Sequence, residues 1–434
     1  MVSSLAGSGP ILWSVRIRPV RMPGGGIPQD MEAVSAVVTT GIYCRPGCSA
    51  RPRSENVRTF PLAAAAEAAG YRACHRCRPY RSAQPLTWNA PELVCRGVRL
   101  ILDGALDRGT EADLGARLGV SARHLRRLFT RHLGVTPDGL ARSARAHFAR
   151  RLLDDTDLTI TEIAFAAGFG STRQLNRACR EIFRDSPRQL RARRRKADRL
   201  VADGGLVLRL PYHGTLDWDS LLGELEAAAI PGVESFSGGA YRRTIVVGGD
   251  VGVLELFPGA DGELLLRAHL PHWEELVHVV QRARRIPGLD SARREAGSWD
   301  PFERGVQAIV DDQAVVARLV RRHGNEVPGL AALELTHAFP SAEKLAAVDL
   351  SGLGRRADTI RAFSRAVVAD EVRLDGSVGL DGLVASLAAV DGLDPWTARS
   401  IALRLGNPAF ANGANPRWAQ SRSTRASRLA RAEP

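Results

Sequence analysis

Four of the six cysteines, Cys44, Cys48, Cys74 and Cys77, constrain this chain more than any other feature. They form two close pairs, C-x3-C in GIYCRPGC and C-x2-C in ACHRC, with 25 residues between the pairs. A tetrahedral thiolate site needs this arrangement, because each pair grips one side of an ion and the connecting chain closes the other. On spacing alone the pattern reads as a zinc site holding a small domain together. Metal-free or redox cysteine pairs are the alternatives. Cys95 and Cys179 lie in helical, apolar surroundings and read as buried thiols outside this set.

The 434 residues suffice for roughly two to four domains. The formal charge is +13, nearly all of the positive charge being arginine. That balance points to a polyanionic partner, and arginine suits bidentate contacts to phosphate and guanine. A genome rich in G and C gives the same arginine bias without function. No apolar run at the amino terminus is long enough for a signal peptide or a membrane span, so the expected location is cytoplasmic, with no membrane partner.

Arginines crowd the cysteines: Arg45, Arg51, Arg53, Arg58, Arg72, Arg76, Arg78 and Arg81. Zinc keeps thiols deprotonated, and the thiolate is the competent nucleophile. Such a site can present sulfur to a phosphate backbone. TTGIYCRPGC, then ENV, then AAGYRACHRCRP resembles the amino-terminal domain of Ada-type DNA methylation repair proteins. The resemblance implies that Cys44 is both zinc ligand and acceptor of a methyl group from a backbone phosphotriester. Cys48, Cys74 and Cys77 would complete the zinc site, with Arg45 a DNA contact beside it. Val37, Val38 and Tyr43 read as a strand entering the first pair, and PLAAAAEAAG as a helix ending at Gly70. The family's usual compact start is missing. Residues 1–30 show no helix or strand period, and the start up to residue 36 is expected to be disordered.

Residues 92–195 carry two helix-turn-helix units. In the first, Leu114, Ala116 and Leu118 read as lying on one helix and Gly119 as its stop. Ser121 caps the next, with Leu125, Leu128 and Phe129 facing inward and Arg123, His124, Arg126 and Arg127 outward. In the second, Ile160, Ile163 and Ala164 pack, Gly168 turns, and Ser171 or Thr172 caps a helix presenting Arg173, Gln174, Asn176, Arg177 and Arg180. A helix so equipped brings arginine and amide groups to base edges in a major groove. The plain alternative is a helical bundle with a charged face. IAFAAGF, a capped helix and SPRQLR resemble the AraC-type DNA-binding domain, with Leu175 where an aromatic is usual. His124 and His147 read as surface or packing residues. RARRRKADR is a basic linker.

From residue 205 the pattern changes to strand-like runs (LVLRLPY, YRRTIVVGG, GVLELFP, ELLLRAHLP) and two amphipathic helices. LPYHGTLDWDSLL and AIPGVESFSGGAYRRT resemble the amino-terminal domain of AlkA-type 3-methyladenine DNA glycosylases. SWDPFERGVQAIVDDQAVVARLVRRHG and GLDPWTARSIALRLGN resemble the opening helix and the hairpin of that family's helix-hairpin-helix domain. The hairpin implies phosphate contacts at Gly392 and Asp394, although Asp394 replaces a glycine. The catalytic aspartate expected after the hairpin helix is missing: Ala414 stands nearest its place, between Asn412 and Asn415. None of the three carries the charge that stabilises a departing base. Asp311 and Asp312 read as lying on the opening helix, out of position to substitute.

The expected fold class is therefore multidomain α+β. A zinc-binding α/β domain (37–85) follows the atypical start (1–36), and an all-helical double helix-turn-helix domain (92–195) comes next. Then come a mixed α/β scaffold domain (205–285), an all-helical helix-hairpin-helix glycosylase-like domain (298–420) and a tail (421–434). The expected function is a regulator and repair protein of the alkylation response. It takes a methyl group stoichiometrically onto zinc-bound Cys44 and binds double-stranded DNA, both a methylated backbone and a promoter operator. RNA polymerase is the further partner this role brings in. The alternatives are a DNA-3-methyladenine glycosylase and a non-enzymatic zinc-containing DNA-binding regulator. No Pro-Cys-His-Arg motif of a guanine-repairing domain occurs.

Overall fold

The computed structural model describes residues 33–82, 90–200, 205–259, 262–289, 296–354 and 356–405. The first element is a hairpin, not the single strand expected, and it starts at Val34, inside the stretch 1–36 expected to be disordered; residues 1–32 lie outside the described residues. β1 (Val34–Val37) pairs antiparallel with β2 (Ile42–Cys44), and Val38 sits in the turn between them, which Gly41 closes at φ 64°. β3 (Val57–Phe60), α1 (Ala63–Ala68) and β4 (Arg72–Ala73) follow, giving a sheet in the order β3-β1-β2-β4. α1 ends as expected before Gly70, whose φ is 94°.

Seven helices come next. They are α2 (Glu92–Leu102), α3 (Glu111–Arg117), α4 (Ala122–Leu133), α5 (Pro137–Asp155), α6 (Ile160–Ala166), α7 (Thr172–Phe183) and α8 (Pro187–Ala192). Their starts are written in the sequence: Thr110, Ser121, Thr136, Thr159, Ser171 and Ser186 each accept a backbone N–H of the first turn. Leu114 and Leu118 are buried but Ala116 is exposed, since residues two apart do not share a helix face. Leu175 is fully buried and fills the usual aromatic's place as packing. Cys179 is buried, whereas Cys95 is only half-buried, its thiol directed at Ala90 O at 3.6 Å.

β5 (Leu206–Leu210), α9 (Trp218–Ala227), β6 (Glu234–Ser237), β7 (Ala240–Val247), β8 (Asp250–Pro258), β9 (Leu264–His269) and α10 (Leu276–Ala283) form a mixed domain. Its antiparallel sheet has the order β5-β9-β8-β7-β6. The last region contains α11 (Pro301–Val310), α12 (Gln313–His323), a short β10–β11 pair (Asn325–Glu326, His337–Ala338), α13 (Ala342–Ala347), α14 (Arg356–Val368), α15 (Leu380–Ala388) and α16 (Pro395–Arg404). Asp311 and Asp312 do not lie on one opening helix. Asp311 ends α11 in the left-handed region, and the Asp312 carboxylate caps α12 by accepting Val315 N–H.

The cores cut across these regions. One cluster joins Tyr43, Ala63 and Ala66 of the cysteine domain to Phe148, Leu152, Ile163 and Phe183, and on to Leu208 and Leu256 of the second sheet. A second holds Leu62, Ala64 and Ala65 with Val98, Leu125, Phe129 and Leu140 around the first helix-turn-helix unit. The short alanine helix α1 thus serves two cores, because small side chains let neighbours approach on both faces. α5 likewise threads two: Leu140 and Ala141 belong to the first unit's core, and Ala146 to Leu153 to the second's.

Candidate metal centre and DNA-reading helices

Parallel pairing of β2 with β4 sets Ile42 against Arg72 and Tyr43 against Ala73. Cys44 and Cys74 therefore emerge side by side, and Cys74 N–H donates to Tyr43 O at 2.9 Å. Each partner cysteine returns on a tight turn: Cys48 N–H donates to Arg45 O, and Arg78 N–H, one residue beyond Cys77, to Cys74 O. The four Sγ atoms lie within 4.8 Å of one another. None is in a disulfide; Cys44 is the most shielded, at 7% exposure. Hydrogen bonding to Cys77, with burial, pushes the Cys44 thiol up, while the hydrogen bond from Cys44 draws Cys77 down to about 5. Four soft donors at this spacing fit a single tetrahedral ion, and zinc is the resident cofactor the donor set selects.

The surrounding arginines divide. Arg45, Arg51, Arg53, Arg58 and Arg76 are exposed. Arg78 and Arg81 instead turn inward. Arg78 pairs with Asp198 at 2.5 Å, and Arg81 with Asp155 at 2.8 Å and Asp154 at 3.3 Å. Arg150 and the Tyr80 hydroxyl bind the same Asp154 at 2.5 and 3.0 Å. Along the sequence these arginines crowd the cysteines alike; burial separates them.

His147 is neither a surface residue nor mere packing. Its Nε2 meets Glu67 Oε1 at 2.6 Å, where the Tyr43 hydroxyl also donates at 2.6 Å. The residue before Cys44 is thereby tied to the middle of α5. No local pattern announces a partner 104 residues away.

On α4, Arg123, Arg126 and Arg127 are exposed and His124 half-buried. Arg126 pairs with Glu111 at 2.7 Å, and Arg127 donates to His124 Nδ1 at 3.0 Å. On α7, Arg173, Gln174 and Arg177 are exposed and Asn176 half-buried. Gln174 Oε1 accepts Gly170 N–H, Asn176 donates to Thr172 O, and Arg177 pairs with Glu181 at 2.9 Å. The Arg123 and Arg173 side chains have no ion pair or hydrogen bond among the described residues. Arg173 sits in the first turn of α7, the part of a reading helix that meets base edges. Arg173→Ala is therefore expected to cost about 1–3 kcal/mol on a preferred duplex and to relax base preference at one position. Arg177→Ala should cost less. Titration of the preferred duplex and its point variants measures both.

In the far hairpin Gly392 has φ 77°, and a Cβ there would meet Thr359 Oγ1 at 2.4 Å. Asp394 caps α16, accepting Trp396 and Thr397 N–H, each at 3.0 Å, and the Thr397 hydroxyl at 2.6 Å. That hydroxyl and the two amides hold its carboxyl below the usual range. The first-turn amides of α16 are thus already satisfied by an anion. Ala414, Asn412 and Asn415 lie outside the described residues.

Three family models match: the metal binding domain of Ada over residues 29–80, a helix-turn-helix domain over 114–193 and the AlkA N-terminal domain over 207–332. A probable bifunctional transcriptional activator/DNA repair enzyme AlkA of Mycobacterium tuberculosis is 38% identical over 413 residues, 86% of this chain and 83% of its own. The chain belongs to the Ada–AlkA fusion family. Two further relatives match shorter parts of the chain. The bifunctional transcriptional activator/DNA repair enzyme Ada of Escherichia coli is 35% identical over 167 residues, 37% of this chain and 45% of its own. AdaA of Bacillus subtilis is 31% identical over 137 residues, 31% of this chain and 63% of its own. This Ada–AlkA fusion is a bifunctional regulator and DNA repair protein whose cysteine cluster suits zinc-mediated methyl transfer, whose helix-turn-helix region binds DNA, and whose glycosylase module is present but divergent. Among the described residues no helix is long and apolar enough to cross a membrane.

Proposed function

We propose that Cys44 is the methyl acceptor and that the exposed faces of α4 and α7 read an operator. The convergence of Cys44 with Cys48, Cys74 and Cys77 carries this reading. A bound zinc ion would hold all four sulfurs deprotonated at neutral pH. The Cys44 sulfur attacks the methyl carbon of a DNA phosphotriester. The S–C bond forms as the C–O bond breaks, the electron pair leaves on the phosphate oxygen, and an ordinary phosphodiester anion remains. Arg45 and Arg76, exposed on the loops carrying the cysteines, hold the neighbouring phosphates. The thioether stays on the protein, so each chain reacts once. Loss of a thiolate charge reduces repulsion from DNA and strengthens operator binding, with RNA polymerase the partner at the promoter. This role belongs in the cytoplasm. The glycosylase-like module performs no excision in this reading, since Ala414 stands where the acid is expected.

DNA bearing isotope-labelled methyl phosphotriesters tests the chemistry. Label is expected on the Cys44 peptide and absent from Cys44→Ala. No label from zinc-loaded protein would leave the cluster a structural clamp in a plain DNA-binding regulator. Release of free 3-methyladenine from alkylated DNA would restore the glycosylase reading.

A further inference from the structure

The two helix-turn-helix units have separate hydrophobic cores, strung along opposite halves of α5. Two such units can enter neighbouring turns of one duplex, ~34 Å apart, only if the angle between them is held. α5 runs through both units and α1 packs in both cores, so any further body that contacts both units bears on that angle as well.

The AlkA-type module touches both units. At the first unit α10 grips the loop after α2. His278 Nδ1 donates to Leu102 O at 2.9 Å, and Nε2 donates to Asp107, which also binds Arg145 of α5 at 2.5 Å. Both ring nitrogens face acceptors, which the imidazolium alone satisfies. A Cβ on Gly104, at φ 97°, would lie 3.0 Å from that ring, so the loop closes directly on it. Arg285 pairs with Asp103 in the same loop. A second grip comes from the loop before α15: Asp375 pairs with Arg117 of α3, and Arg96 of α2 donates to Ser377 O at 3.1 Å. At the second unit, Arg209 pairs with Asp155 at the end of α5 at 3.2 Å. Glu275 N–H reaches Phe165 O on α6 at 3.4 Å. No hydrogen bond or ion pair among the described residues joins the module to α4 or α7.

We propose that the AlkA-type module acts as a brace on the DNA-reading half, gripping α2, α3, α5 and α6 from behind and setting the angle at which α4 and α7 meet the duplex. The module thereby contributes to DNA reading with no excision chemistry of its own.

Asp103 and Arg285 make the test, in the full zinc-loaded chain and on a duplex that the wild-type chain selects from a random-sequence pool. Asp103→Arg and Arg285→Asp are each expected to weaken binding on the order of tenfold and to shorten the footprint to one unit's share. The double swap should restore both, because the pair is re-formed with its charges exchanged. If folded single variants bind with unchanged affinity and footprint, the brace is wrong. If they do not fold, Asp375→Ala at the half-exposed second grip takes their place. A shortened footprint there supports the brace, and an unchanged footprint and affinity overturn it.

Discussion

A chain carrying Cys74→Ser and Cys77→Ser is expected to bind no zinc and to lose the fold of its first domain. Two hydroxyls replace two thiolates, and the remaining pair cannot close a tetrahedral site. Coordination at a structural zinc site is worth on the order of 10 kcal/mol, as much as the whole stability of a typical domain, about 5–15 kcal/mol. β4 is two residues long, held besides the metal site by its pairing with β2 and by the buried Tyr71 and Ala73. The damage should spread, because Leu62, Ala64 and Ala65 of α1 lie in the core of the first helix-turn-helix unit. Metal analysis should fall from one zinc per chain to none. Amide exchange should rise across 34–73 and, to a smaller extent, in α2 and α4. A zinc-free chain with unchanged protection would show that packing alone carries the domain. Chelation of the wild-type chain should reproduce the same pattern.

The second large effect lies at the ionic hub. Asp154 is fully buried and receives Arg150, Arg81 and the Tyr80 hydroxyl. Asp154→Ala strands Arg150, itself 2% exposed, without its counter-charge. Breaking one side of a buried pair costs about 3–5 kcal/mol, mainly through the charge left unpaired. Urea unfolding should show a loss of that order for Asp154→Ala. Asp157 is a control: its bridges to Arg194 and Arg199 are half-exposed, and Asp157→Ala should cost about 0–1 kcal/mol. Equal losses at the two sites would mean that the hub is not a special point of stability. Asp154→Ala should also disturb the cysteine centre, since Arg78 follows Cys77 directly and reaches the same cluster of aspartates.

What the sequence determined by itself was local. Cysteine spacing specifies a metal site because ligand geometry is set within a few residues on either side. Ser121, Ser171 and Thr159 mark helix starts because a cap bonds to an amide two or three residues on. Asp394 stands out only through the resemblance, which implies a glycine there, and the structure shows its carboxylate on that helix's own amides. Tertiary structure alone decided which arginines face solvent. Arg45 and Arg78 look alike in sequence, but only Arg78 finds a carboxylate, Asp198, 120 residues away. It also made one alanine helix serve two cores, and turned His147 into a partner of the residue before Cys44. Burying a charge is tolerated only where a counter-charge is buried with it. That counter-charge comes from distant chain, so no window of sequence around an arginine reveals whether it points inward or outward.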